Sequence, residues 1–193
     1  MAGVASLGLL GGVFDPPHDG HVALARAAVS SLGLERLAVL VVVDPGHKET
    51  STPAATRLSL ARLAFADVGE AGVQLDPNAR TVDFLEERRP EDAVFVIGSD
   101  ELAAFPHWKR PERVLQLVRL AVGVRPGVSD EAVAEALVHV SDPSRVLFFP
   151  LEPVDVSSRE IRERVGQGDS IAGLVPLVVE AEIARLGLYR APG

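Results

Sequence analysis

A chain of 193 residues is long enough for one α/β domain with a substantial core and too short for two comfortable ones. Its net charge of −8 disfavours nonspecific binding to nucleic acid or to an anionic membrane, and a small anionic substrate would need a locally positive pocket. The absence of cysteine excludes disulfides, thiol nucleophiles and cysteine-ligated zinc, fits a cytoplasmic protein, and no apolar run approaches a membrane span.

The first ten residues are apolar but lack a basic leading segment, so Leu7 to Leu10 reads as a strand and not as part of a secretory leader. Gly11-Gly12-Val13-Phe14-Asp15-Pro16-Pro17-His18-Asp19-Gly20-His21 follows at once. Beyond it, Val22, Ala25, Ala28, Val29 and Leu32 recur at helical spacing and stop at Gly33. Strand, glycine turn, proline-stiffened loop and helix, in that order, aim backbone N–H groups and a helix N-terminus at an anion. His18 and His21 stand in the first helical turn, where imidazoles can donate to phosphate oxygens as charge moves. A plain tight turn would explain the glycines, and solvation the histidines; their combination reads as a phosphate-handling site. It is not a Walker A loop, because no Gly-Lys-Ser/Thr follows, nor a dinucleotide-binding GxGxxG, because Gly8, Gly11 and Gly12 have the wrong spacing.

Arg36 to Val43 is a continuous β-branched run suited to a buried parallel strand, and it delivers a loop from Asp44 to Thr52 carrying Pro45, Gly46, His47 and Lys48. Pro53 to Ala66 reads as a second helix, with Leu58, Ala61, Leu63 and Phe65 as its apolar contacts, and Gly72 to Leu75 as a short strand. Asn78 opens a helix that runs to Arg89 and is stopped by Pro90. Ala93 to Ile97 is the next buried strand and ends at Gly98-Ser99-Asp100. Asp100 suits either the N-cap of a helix over 101–105 or a contact to ribose hydroxyls. Trp108 falls in the loop before a helix starting near Pro111, where a flat aromatic can stack on a heterocycle.

Leu117 to Val124 supplies a fifth strand, Asp130 to Val140 an amphipathic surface helix, and Val146 to Leu151 a sixth strand. Ser157 with Glu160 forms the pattern of a capping box, so a helix begins there and presents Ser158, Arg159 and Arg162. Such a start is a second anion-binding helix terminus, and arginine suits forked contacts to phosphate. Gly166 to Gly168 breaks this helix, and Val175 to Leu186 forms a last one. Strands alternating with helices predict a single Rossmann-like α/β domain over 1–193, a doubly wound parallel sheet. The loops that carry the candidate residues all follow strands, so they converge on one crevice.

These motifs resemble those of the nicotinate-nucleotide adenylyltransferases, a branch of the HxGH nucleotidyltransferase superfamily. Gly11 to His21 is similar to GGxFDPPHxGH, Pro45 to Lys48 to PPHK, Val96 to Leu102 with Phe105 to Trp108 to IIGxDxL followed by LPxW, and Val156 to Arg162 to ISSTxIR. The resemblance implies adenylyl transfer from ATP, with Mg²⁺, to nicotinate mononucleotide in NAD biosynthesis. It assigns His18, His21 and Arg162 to catalysis on the phosphates. It gives ATP and phosphate binding to Gly11, Gly12, Val13, Phe14, Lys48, Gly98, Asp100, Ser157, Ser158 and Arg159, with the part from about 157 to 193 completing the phosphate site. It gives the mononucleotide to Arg80, Thr81 and Trp108. No nucleic-acid or membrane partner and no dedicated metal ligands are implied, and a homo-oligomer is compatible.

Four positions depart from the pattern. Ala79-Arg80 replaces Ser-Tyr, Arg159 replaces Thr, and PPHK has become PGHK. They leave adenylyl transfer intact and bear on the choice of acceptor. The alternatives are a nicotinamide-mononucleotide or phosphopantetheine adenylyltransferase, and a non-catalytic nucleotide sensor.

Overall fold

Consecutive apolar residues in the strands go to opposite sides of one sheet, and each side is a separate core. Leu10, Val94 and Val96 belong to the first core, and Leu9, Phe95 and Ile97 to the second. A strand buried on both faces needs helices above and below, which is the parallel doubly wound arrangement. A computed structural model describes residues 6–46, 50, 52–127, 129–152 and 154–191.

The elements are β1 (Leu7–Gly12), α1 (Asp19–Leu32), β2 (Arg36–Val42), α2 (Ala54–Ala64), β3 (Ala71–Asp76), α3 (Thr81–Arg88), β4 (Ala93–Gly98), α4 (Ser99–Ala104), α5 (Pro111–Leu117), β5 (Arg119–Val124), α6 (Asp130–Leu137), β6 (Val146–Pro150), α7 (Ser158–Gln167) and α8 (Leu177–Leu186). The strands pair in parallel in the order β3-β2-β1-β4-β5-β6. The order reverses beside β1, whose Leu9 pairs with Ala38 on one side and Phe95 on the other. A crevice opens at such a reversal, beyond the carboxyl ends of the strands. The α/β Rossmann-like reading of the sequence holds.

Several boundaries differ for local reasons. α3 starts at Thr81, not Asn78, because Asn78 is held in a turn by Asp76, whose Oδ1 accepts from its N–H at 2.9 Å and its Nδ2 at 3.1 Å. Asp100 is not an N-cap: Gly98, with φ −83° and ψ 169°, takes that place, and Asp100 lies inside the first turn of α4. Leu117 ends α5, so β5 begins at Arg119. α6 stops at Leu137, short of Val140. Pro176, in extended backbone, delays α8 to Leu177.

α2 carries the largest surprise. Arg57, Leu60, Ala61 and Ala64 form its buried stripe, whereas Leu63 remains 37 % exposed. Arg57 is 1 % exposed and spends its guanidinium on four backbone carbonyls. Its Nε donates to Thr52 O at 3.0 Å, its Nη1 to Val13 O at 2.7 Å and Val42 O at 2.8 Å, and its Nη2 to Val43 O at 2.9 Å. The ends of β1 and β2 and the start of α2 are thereby tied to one side chain. Burial pulls its pKa down, and the nearby Asp15 carboxylate opposes that shift. Arg57→Met keeps the length but strips the donors, and each orphaned carbonyl costs about 1 kcal/mol or more. The expected destabilisation is ~3 kcal/mol or greater, read as a lower urea midpoint. A midpoint displaced by the equivalent of less than about 1 kcal/mol would mean that water replaces the guanidinium.

Candidate active site

A cleft of about 1440 Å³ lies at the carboxyl ends of β1, β2, β4 and β5. Every candidate residue from the sequence lines it except Lys48, which, with His47, lies outside the described residues.

The floor is the turn from β1 into α1. Phe14 is buried with φ 52°, a left-handed conformation that aromatic residues rarely adopt, and Asp15–Pro16 is cis. The Phe14 ring meets His21 edge-on at 4.9 Å. His18 is the N-cap of α1 and His21 its third residue, and the two rings stack at 3.7 Å. The His18 backbone N–H donates to His21 Nδ1 at 3.2 Å. That bond leaves Nδ1 without a proton and puts the neutral ring's proton on Nε2. Burial lowers the pKa of His18 to about 4, so its ring is neutral, and its Nδ1 is a buried polar atom without a partner. Gly20 makes this packing possible: a Cβ there would lie 3.1 Å from His18 Nδ1 and 3.2 Å from its Cε1. Not all of the helix start is open to an anion, because the Asp19 N–H donates to Leu174 O at 3.0 Å.

α7 forms the opposite wall. The Ser157 hydroxyl accepts from the Glu160 N–H at 3.1 Å, as expected of the cap. The reciprocal half of the capping box is replaced by an Arg164 contact to the Glu160 carboxylate at 2.9 Å. Ser158 Oγ donates to Pro16 O at 2.8 Å, and Arg162 Nη1 donates to Asp15 O at 2.7 Å. α7 is thus fastened to the turn that carries the histidines. Ser158 spends its hydroxyl proton there, and Arg162 lines the cleft. Arg159 is solvent-exposed at the rim and paired with Glu163 at 2.8 Å.

Gly98 and Asp100 line the cleft at the end of β4, and a Cβ on Gly98 would meet nothing within 4 Å. Arg80 is the N-cap of α3, and Thr81 is its first residue. Trp108 is half-buried, edge-on to Phe95 at 5.9 Å and Phe105 at 5.3 Å. Its segment is drawn to α3 by Lys109 on Asp83 at 2.9 Å and Arg110 on Glu86 at 2.6 Å. Trp108 and the N-terminus of α3 therefore share one side of the cleft.

Among the described residues, no group of three or more His, Asp or Glu side chains is placed to hold a metal, and no helix is long and apolar enough to cross a membrane. Sequence reasoning missed Arg57, Asp15 and Tyr189. Arg57 carried a signal, a charge in register with Leu60, Ala61 and Ala64 on the buried stripe of α2. Asp15 stands in the quoted turn motif, but its contact with Tyr189, 174 positions away, leaves no mark in the sequence.

The chain matches the Cytidylyltransferase-like family over residues 9–164. It is 35% identical over 198 residues to a protein of Thermomicrobium roseum named "Probable nicotinate-nucleotide adenylyltransferase", covering 97% of this chain and 92% of that one. A Bordetella petrii protein of the same name is 36% identical over 195 residues, with 95% and 98% covered. The fold is similar to that of Plasmodium falciparum nicotinic acid mononucleotide adenylyltransferase complexed with NaAD, with a TM-score of 0.76, 16% identity, and 95% and 96% of the two chains covered. A family match over most of the length, relatives above 30% identity and a cleft built on the histidine turn agree: the chain belongs to the Cytidylyltransferase-like family, in the nicotinate-nucleotide adenylyltransferase group.

Proposed function

We propose that the chain transfers the adenylyl group of ATP to nicotinate mononucleotide, giving nicotinate adenine dinucleotide and pyrophosphate, as a step of NAD biosynthesis. The observation that carries this reading is the histidine turn, fastened to Arg162 and lining one cleft together with Asp100 and Trp108. The whole of 1–193 acts as one nucleotidyltransferase domain, with α7 completing the phosphate site.

A phosphate oxygen of the mononucleotide attacks the α-phosphorus of ATP, the new P–O bond forms as the bond to the β-phosphate breaks, and pyrophosphate leaves. No protein nucleophile is required. The chain aligns two anions and stabilises the charge that shifts toward the leaving group. The Nε2–H of His21 donates to phosphate, and His18 is held beside it as a neutral ring. Arg162, fixed by Asp15 O, offers its remaining N–H groups to the β- and γ-phosphates. Magnesium arrives as part of the ATP substrate, where it neutralises charge on the phosphates. Gly98 and Asp100 take the adenosine ribose, Gly11 to Phe14 lie between the two nucleotides, and Trp108 covers the pyridine ring. The start of α3, with Arg80 and Thr81, faces the ring carboxylate and favours an anion there.

Pyrophosphate release with nicotinate mononucleotide, nicotinamide mononucleotide and phosphopantetheine tests the reading. The nicotinate form should be favoured by at least about tenfold in kcat/KM over the nicotinamide form, ~1.4 kcal/mol. Trp108→Ala should weaken both alike, because the ring contact does not read the substituent. Equal use of both mononucleotides overturns the acceptor assignment, and tight ATP binding without pyrophosphate release would mark a sensor.

A further inference from the structure

Behind the histidine turn lies a group of side chains that the transfer chemistry does not touch. Asp15 is 3 % exposed, and its Oδ1 accepts from the Tyr189 hydroxyl at 2.7 Å. The buried Arg57 guanidinium lies close enough to act electrostatically on Asp15, and it holds Thr52 O at 3.0 Å. The backbone carbonyl of the same Asp15 carries Arg162 Nη1 at 2.7 Å. One residue thus receives the end of the chain on its carboxylate and the phosphate-site arginine on its carbonyl.

The backbone at both ends of this link is unusual. Phe14, which precedes Asp15, has φ 52°, and Tyr189 has φ 63°. For aromatic residues such values persist only where the surroundings over-determine them, and they cluster where a fold must aim a group. The hydroxyl of Tyr189 is also neutral, since burial pushes its pKa up, so it serves Asp15 as a donor.

We propose that Tyr189 is a positioning residue for adenylyl transfer: by holding Asp15, it fixes the carbonyl on which Arg162 rests and the turn that presents His18. The inference rests on the reading of the cleft given above. Tyr189 touches no substrate. Its effect is geometric, and small displacements of a phosphate-binding group reach the transition state before they reach ground-state binding.

Tyr189→Phe keeps the ring and its packing and removes one hydroxyl. It should lower kcat by about tenfold, with the KM values for ATP and nicotinate mononucleotide changed by less than about twofold. The route is tested in an Arg162→Lys background, where the same change should cost less than about threefold, because the group it positions is already altered. Circular dichroism establishes that both variants are folded at the assay temperature. An unchanged kcat in Tyr189→Phe, a loss that tracks the unfolded fraction, or a full tenfold loss repeated in the Arg162→Lys background overturns the inference. Failure of the wild type to release pyrophosphate overturns the reading of the cleft and this inference with it. Wild-type turnover with an unimpaired Tyr189→Phe overturns this inference alone.

Discussion

His21→Ala should lower kcat by on the order of a hundredfold or more, ~2.7 kcal/mol of transition-state stabilisation, with a smaller change in the KM for ATP. The expectation follows from the tautomer. His21 Nδ1 accepts from the His18 backbone N–H, so the donor this ring can offer a phosphate is Nε2–H. A donor fixed before the substrate arrives costs no reorganisation when charge moves, so its removal falls mainly on the rate. His21→Gln retains a donor on a longer, looser arm and should recover part of the loss. A folded His21→Ala enzyme turning over at the wild-type rate would remove His21 from the chemistry.

Arg162→Lys should cost the next most, an expected tenfold to a hundredfold in kcat, roughly 1.4 to 2.7 kcal/mol. Arginine here does two things at once. One Nη1–H is spent on Asp15 O, and the planar fork leaves the remaining N–H groups at a fixed angle to the cleft. A lysine ammonium can replace the charge but not both directions, so it must abandon either the carbonyl or the phosphate. Arg164→Lys is the control, since Arg164 sits on the same helix, at the surface, paired with Glu160. It should change kcat by less than about twofold, because exposed pairs contribute little. Equal losses in the two variants would reduce α7 to a structural helix.

Much of this was legible in the sequence, and the reasons are specific. The apolar runs at 36–43 and 93–97 suit buried strands, which the structure places at 36–42 and 93–98, and the glycine-proline turn with two histidines is too dense in special residues to be an ordinary loop. These features are local in the chain, and local features leave periodic or compositional marks. Contacts between distant segments leave none. Nothing near Ser158 foretells that its hydroxyl will be taken by Pro16, 142 positions earlier, and nothing near Leu174 foretells its use of the first N–H of α1. Asp100 was misplaced because a capping residue and a first-turn residue share the same composition, and only the backbone angles at Gly98 separate them. Arginine is mostly a surface residue, so only the helical register of Arg57 with Leu60 and Ala64 marks it as buried.

The fastening of α7 to the β1–α1 turn also sets an order of events during synthesis. The turn leaves the ribosome well before Ser158 and Arg162, which hold it and follow it by more than 140 residues. Domains form largely as their segments appear, and pairings of such separation form late. A nascent or prematurely terminated chain can therefore display both histidines and most of the sheet and still lack a formed phosphate site. That side of the cleft closes only once α7 has folded back onto the turn.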